Sequence, residues 1–179
     1  MEIVLETDRL ILRHFVMDDL DDLYRIYTQP GTMRYIGSGR VPAYAEVKDW
    51  LHRHIHEVIP FRGHSLYATV HRASGRLIGR CGLMTQEVDG VEELEVGYLI
   101  DRDYRGRGLA TEAARALRDF AFRRKPVDRV ISLIQSPNRA SRRVAEKNGM
   151  HPWKKTTFRG VPDVCVYRIT RKEWEKLGG

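Results

Sequence analysis

The segment "EVGYLIDRDYRGRGLATEA", residues 95–113, changes character twice along its length. It begins as an apolar strand, passes through a turn that holds Gly106 and Gly108, and continues into residues that favour a helix. A helix leaves its first backbone N–H groups unpaired, and glycine lets an anion approach that backbone without obstruction. Arg105 and Arg107 add positive charge beside the glycines. The segment therefore predicts a pyrophosphate site where a strand turns into a helix.

Two common phosphate-binding loops do not match this turn. A Walker loop needs Lys followed by Ser or Thr after the glycines, and neither pair is present here. A dinucleotide fingerprint follows the first strand of a βαβ unit, whereas this turn follows an antiparallel meander predicted over residues 64–73, 76–88 and 92–101. A glycine-rich turn also serves as a plain connection, so the motif by itself leaves that alternative open.

The remaining pattern predicts a mixed α/β fold, with a mostly antiparallel central sheet and flanking helices. A strand at residues 9–15 precedes the meander, and residues 128–135 form a strand that is buried on both faces. Helices are predicted at about 20–27, 43–58 and 109–124, and from Asn138 to Gly149. Strands at 154–160 and 163–170 form a closing hairpin that turns at "GVP", and a short polar helix follows. A chain of 179 residues is expected to form a single domain, 1–179.

Composition restricts the class of protein further. The formal net charge of +7 suggests nucleic acid as a partner, but acidic residues are interspersed with the basic ones, which is typical of a solvated surface. Cys81 and Cys165 lie in apolar runs and are expected to be buried thiols in a cytoplasmic protein. His52 and His56 are one helical turn apart without a third ligand, so no metal site is expected. From the sequence we expect neither an export signal nor a membrane-spanning segment.

Three motifs along the chain resemble those of the GNAT acetyltransferases. "RGRGLA" at residues 105–110 matches the family signature R/Q-x-x-G-x-G/A. "TDRLILRHF" at residues 7–15 and "NRASRRVAEKNGM" at residues 138–150 are similar to segments of the branch that contains the ribosomal-protein N-terminal acetyltransferases. The resemblance implies a GNAT acyltransferase-like fold, acetyl-CoA as cosubstrate and an amine as acceptor.

The resemblance also implies a set of cofactor-binding residues. The loop and the start of the helix would bind the pyrophosphate through backbone N–H groups, and Ile100 and Asn138 would meet the pantetheine arm. The loop residues are Arg105, Gly106, Arg107, Gly108, Leu109, Ala110 and Thr111. The cofactor therefore depends on one short stretch of backbone together with one residue on each side of it.

Direct attack of an amine on a thioester needs a group that removes a proton and a group that tolerates the leaving thiolate. Similar enzymes often carry a carboxylate in the strand before the loop, and here this residue is Glu95. The alternative for Glu95 is an acidic strand end shared with Glu92 and Glu93. Many relatives place a tyrosine acid where this chain has Ala145, so Ser141 becomes the candidate hydroxyl. Ser141 is equally compatible with an ordinary residue of the first helical turn.

The sequence permits three classes of functional hypothesis. The first is an acetyl-CoA-dependent N-acetyltransferase whose acceptor is a protein N-terminus or a small molecule such as a polyamine, an amino sugar or an amino acid. The second is a cofactor-binding regulatory module that has lost turnover, which the missing tyrosine would permit. The third is a basic protein associated with RNA or ribosomes, although nucleic acid is not expected as a partner except through a ribosomal substrate. A homodimer is left open.

Overall fold

The computed structural model describes residues 2–58 and 64–179 and has a mixed α/β fold. The chain divides into two compact units, which are described in turn. The first unit consists of Met1–Gly82 and Tyr98–Ala113, and the second of Leu83–Gly97 and Ala114–Gly179. The single domain over residues 1–179 stays a prediction.

In the first unit, successive strands pair antiparallel. The strands are β1 (Ile3–Glu6), β2 (Leu10–Arg13), β3 (Leu66–His71) and the first half of β4 (Leu77–Val88). The turn between β3 and β4 places Gly75 at a φ of 65°, which confirms the hairpin predicted at "SG". Strand β1 was not predicted from the sequence, because it has four residues and only moderate burial and therefore carries little periodicity.

The helices of the first unit pack around one apolar cluster. A short 3-10 turn leads into α1 (Leu20–Thr28), and α2 (Tyr44–Arg53) continues as a π-helical stretch over His54–Val58. The predicted helix at 43–58 therefore changes its winding at His54. The cluster combines side chains of both helices with strand residues, and it includes Phe15, Leu23, Ile26, Tyr27, Val47, Leu51, Leu77 and Leu99.

The strands of the second unit lie in the order β4, β5, β6, β8, β7. They are β5 (Val91–Ile100), β6 (Arg129–Gln135), β7 (His151–Phe158) and β8 (Val161–Thr170), and β4 and β5 contribute residues to both units. Strand β6 is parallel to β5 and antiparallel to β8. The closing hairpin turns at Arg159 and Gly160, whose φ angles are 49° and 78°, so the turn predicted at "GVP" is wrong in position. Two left-handed residues close a tight turn, and Val161 already pairs with Phe158.

Three further helices complete the described chain. The predicted bounds of α3 (Leu109–Arg124) are confirmed, and α4 (Arg139–Lys147) and α5 (Arg171–Lys176) follow in the second unit. The Asn138 side chain accepts the Ser141 N–H at 3.2 Å, which caps the start of α4. Gly149, at a φ of 81°, follows the end of α4, as the sequence predicts.

Candidate active site

The glycine-rich loop of the first unit leads into backbone N–H groups that have no acceptor within the helix. Gly106 and Gly108 have φ angles of 76° and 80°, a conformation that L side chains rarely adopt. The first helical hydrogen bond of α3 runs from the Glu112 N–H to the Gly108 carbonyl at 3.0 Å. The N–H groups of residues 109–111 precede that bond, so they point out of the helix start without a helical acceptor. This geometry suits an anionic group that is bound by backbone.

The two arginines of the loop support its backbone. Arg105 Nε donates to the Ile100 carbonyl at 2.8 Å, and Arg105 Nη2 donates to Thr32 Oγ1 at 2.9 Å. Arg107 Nη2 donates to the Asp103 carbonyl at 2.8 Å, and its guanidinium lies over the ring of Tyr104. Their charge remains beside the glycines, while these side-chain hydrogen bonds hold the loop in shape. Ile100 itself is 5% exposed.

A buried carboxylate fixes the turn that leads into the loop. Asp101 is fully buried and accepts hydrogen bonds from Arg25 Nη1 at 2.7 Å, Gln29 Nε2 at 2.8 Å and the Asp103 N–H at 2.9 Å. Gln29 also accepts the Arg102 N–H at 2.9 Å. Burial would raise the pKa of Asp101, but these hydrogen bonds outweigh it and hold the pKa below its usual range. The turn is therefore tied to α1 by an ionised carboxylate.

A second carboxylate holds the start of α3. Glu112 accepts hydrogen bonds from Thr7 Oγ1 at 2.6 Å, the Arg9 N–H at 2.9 Å and Arg9 Nε at 2.7 Å. Arg9 Nη1 also donates to the Arg107 carbonyl at 2.9 Å, which links this cluster to the loop. Burial would raise the pKa of Glu112, but the hydrogen bonds from Thr7 and Arg9 lower it overall. The N-terminal motif "TDRL" therefore positions the loop, a role that the sequence analysis did not assign.

Glu95 lies in a hydrogen-bonded network of the second unit. The residue is 8% exposed, and its Oε2 accepts from Gln86 Nε2 at 2.8 Å. Gln86 Oε1 in turn accepts from Arg159 Nη2 at 2.9 Å. Donors directed at a carboxylate fix its orientation. Gln86 and Arg159 were not predicted as site residues, because no local pattern in the sequence links either residue to Glu95.

The backbone beside Glu95 is held partly by a side chain. Strand β5 pairs with β6 at Glu95 and Ile131, and one residue further on the Ser132 hydroxyl donates to the Val96 carbonyl at 2.7 Å. A hydroxyl between two strands takes the place of a ladder hydrogen bond at that point. Glu95 is therefore beside a local irregularity in the pairing of two buried strands.

The candidates at α4 have structural partners. Asn138 Oδ1 caps the helix by accepting the Ser141 N–H, and Ser141 is half-buried. Ala145, where many relatives carry a tyrosine, has no exposed surface. The structure thus places Ser141 in the first turn of α4 and a methyl group at the position of the usual acid.

Other features of the described residues carry no site. His52 and His56 are exposed on α2 and the stretch that follows it, with ring centroids 4.5 Å apart. Over residues 2–58 and 64–179, no group of three or more His, Cys, Asp or Glu residues is placed to hold a metal ion. No helix in these same ranges has the length and hydropathy needed to cross a bilayer.

Comparison with known proteins identifies the class. The family model described as the acetyltransferase (GNAT) domain matches residues 9–151. The chain is 31% identical over 164 residues to the uncharacterized protein YkkB of Bacillus subtilis, covering 91% of this chain and 93% of that protein. The chain therefore belongs to the GNAT acetyltransferase family, and it is an acetyl-CoA-dependent acyltransferase.

Solved structures show the same fold. One is RimL, a ribosomal L7/L12 alpha-N-protein acetyltransferase in complex with coenzyme A, with a TM-score of 0.77, 18% identity and coverage of 94% of this chain and 98% of that chain. Another is the aminoglycoside acetyltransferase AAC(6')-Ib in complex with paromomycin and acetyl-CoA, with a TM-score of 0.79, 21% identity and coverage of 96% and 99%. At these identities, the two structures support the fold of this chain.

Proposed function

We propose that this protein is an N-acetyltransferase that transfers the acetyl group of acetyl-CoA to a primary amine by direct attack. The observation that carries the proposal is the loop at residues 105–111, where two left-handed glycines lead into unpaired N–H groups at the start of α3. Pyrophosphate oxygens fit this backbone, because the helix start attracts negative charge and glycine leaves its surface open. Among the described residues, apart from its two chain neighbours, no atom lies within 4 Å of the position that a side chain on Gly106 would occupy.

The cofactor-binding residues are proposed to act mainly through their backbone. Gly106, Gly108 and residues 109–111 would bind the phosphates, while Arg105 and Arg107 keep the loop in shape and supply positive charge. Ile100 would line the path of the pantetheine arm. Asn138 would contribute through its amide nitrogen, because its oxygen already caps α4.

Glu95 is proposed to remove the proton from the attacking amine, directly or through an ordered water. The amine nitrogen forms a bond to the acetyl carbon, the carbon–sulfur bond breaks, and the amine proton passes to the Glu95 carboxylate. The hydrogen bond from Gln86 holds the carboxylate in one orientation. A base must be ionised before it accepts a proton.

Ser141 is proposed to protonate or hydrogen-bond the leaving thiolate in place of the missing tyrosine. The position is half-buried and lies in the first turn of α4, where the unpaired N–H groups also favour negative charge. If neither the Ser141 hydroxyl nor the N–H groups of the first turn of α4 stabilise the leaving thiolate, only water can do so, and turnover would be slow. Ala145 therefore also favours a second candidate function, an acetyl-CoA-binding regulatory module with little catalysis.

The acceptor is proposed to be a protein N-terminus, with a small-molecule amine as the alternative. RimL is an alpha-N-protein acetyltransferase, and AAC(6')-Ib is in complex with paromomycin, so this fold serves both classes of acceptor. The N-terminal and C-terminal motifs of this chain resemble the ribosomal-protein branch. A screen of peptides and small amines, followed by free thiol release, would separate the two.

Calorimetric titration with coenzyme A tests the loop, using Gly108→Val and the control Gly75→Val. Both glycines have positive φ angles, 80° and 65°, so both variants carry comparable backbone strain. We expect Gly108→Val to weaken binding by about tenfold or more and Gly75→Val to leave it unchanged. Equal affinity in the two variants would place the phosphates elsewhere, and binding without acetyl transfer to any amine would support the regulatory module.

A further inference from the structure

Arg80 on β4 is a cation that no hydrogen-bond acceptor among the described residues engages. Its guanidinium carbon lies 5.3 Å from the ring centroid of Tyr27 and 5.4 Å from that of Trp50. The residue is half-buried, and its Nε is shut off from solvent without an acceptor. In the part of the chain that the structure describes, no side chain accepts a hydrogen bond from Arg80 or forms an ion pair with it.

The described ring side chains beside Arg80, those of Tyr27, Trp50 and His54, are neutral. Burial raises the pKa of Tyr27, so its phenol stays protonated. Burial also lowers the pKa of His54, and the charge of Arg80 lowers it further. Nε2 of His54 lies 2.8 Å from the Leu66 carbonyl, so the neutral ring donates a hydrogen bond there. The rings therefore hold Arg80 in place without neutralising its charge.

Buried carboxylates of the same unit are paired with other arginines. Asp19 accepts two hydrogen bonds from Arg13, at 2.7 and 2.6 Å. Asp101 accepts from Arg25 at 2.7 Å. The stabilisation of a guanidinium by cation–π contact is similar in size to the cost of one buried unpaired donor. Arg80 therefore gains little from its own surroundings and retains its capacity to bind an anion.

We infer that Arg80 binds the carboxylate of the acceptor, which makes the substrate an amine that also carries an acid group, such as an amino acid or an acidic peptide. The planar guanidinium pairs with a carboxylate through two parallel hydrogen bonds, and the aromatic rings on either side fix its plane. A polycationic amine would instead meet a like charge at this position. The inference rests on the proposed N-acetyltransferase function and specifies, in addition, that the acceptor carries a negatively charged carboxylate.

Acceptor selectivity tests the inference. The panel is a series of ω-amino carboxylates of increasing length and short peptides with acidic side chains, each compared with its uncharged amide, together with a polyamine and kanamycin. In the native protein, kcat/KM for the best acid should exceed that for its amide by about 10- to 100-fold, as expected for one charge-assisted pair. Arg80→Gln should bring this ratio to about one, and Arg80→Lys should retain part of the preference.

Two controls distinguish carboxylate binding by Arg80 from a general effect of net charge and from binding of a cofactor phosphate. Arg72→Gln removes an exposed arginine that pairs with Glu6 and donates to the Thr7 carbonyl at 3.3 Å. It lowers the net charge by the same amount as Arg80→Gln and should leave the acid-to-amide ratio unchanged. Titration with coenzyme A and with dephospho-coenzyme A shows whether the anion belongs instead to the cofactor, and Arg80→Gln should leave both affinities unchanged. Thermal unfolding checks that each variant is folded.

The outcomes distinguish failure of the inference from failure of the proposed function. Acetylation of amines with equal rates for acids and amides would overturn the carboxylate site and leave the N-acetyltransferase intact. A loss of coenzyme A affinity in Arg80→Gln would assign the cation to a cofactor phosphate, which also overturns it. Binding of coenzyme A without acetylation of any amine in the panel would refute both proposals.

Discussion

Replacement of Asp101 by Asn should destabilise the protein strongly, because this carboxylate joins the loop turn to α1. The side chain is 1% exposed and accepts from Arg25, Gln29 and the Asp103 N–H. Hydrogen bonds to a buried charge contribute about 1.5–3 kcal/mol each, but the Arg25 side chain is 36% exposed, and an amide oxygen can keep one of the three donors. We therefore expect a loss of about 2–3 kcal/mol and a decrease in Tm of about 5–10 °C.

The dependence on pH provides a second measurement of the same carboxylate. The pKa of Asp101 is lowered in the folded protein, so its contribution is complete above the unfolded value, at about pH 4, and is lost as the pH falls through the folded value. The difference in stability between the native protein and Asp101→Asn should therefore be constant near neutral pH and shrink below about pH 4.

Asp103→Asn is the matched control, since it removes the same charge from an exposed side chain in the same turn. Its effect on the free energy of unfolding should stay within about 0.5 kcal/mol. Thermal and urea unfolding of the three proteins decide the matter. If Asp101→Asn lost less than about 1 kcal/mol, or no more than Asp103→Asn, the buried carboxylate would not hold the turn.

Three further predictions concern the proposed chemistry. Glu95→Gln should lower kcat by about two to four orders of magnitude with little change in coenzyme A affinity, and near-native turnover would remove Glu95 from the mechanism. Gln86→Leu should lower kcat by about tenfold and change the acidic limb of the pH–rate profile, because it deletes one of the donors to Glu95 and leaves the Leu133 N–H, whereas a pure loss of stability would leave that profile unchanged. Ser141→Ala should slow acetyl transfer by about 10- to 1000-fold without raising the Kd of the cofactor, and a normal rate in a protein about 1 kcal/mol less stable would indicate a helix residue only.

The elements with strong local signals could be predicted from the sequence. Helix α3 has an apolar face and a glycine turn before it, and its bounds match the prediction. Asn138 and Gly149 mark the two ends of α4 because capping and left-handed termination are properties of single residues. The hairpin at Arg159 and Gly160 was misplaced, since an arginine at positive φ has no distinctive signature and "GVP" offered a more usual turn.

The shape of the candidate loop could be predicted only in part. Gly106 and Gly108 predict a left-handed backbone at these positions, because few other residues tolerate that conformation. The residues that hold the loop in place cannot be recognised from the sequence in this way. Thr7 and Arg9 are separated from Glu112 by about a hundred residues, and periodicity describes local geometry alone. A resemblance to family motifs indicated that the N-terminal segment matters without giving its partner.

Arg105 shows why composition misleads at such a site. A basic side chain next to a phosphate loop is naturally read as a ligand for the phosphate, but this one donates to the Ile100 carbonyl and to Thr32. The backbone N–H groups bind an anion tightly only if the loop keeps its shape when the ligand is absent, because ordering a disordered loop would reduce the free energy of binding. Arginines that brace the loop therefore contribute to affinity through preorganisation. Arg80 braces no described residue by a hydrogen bond, so its charge is available for a substrate.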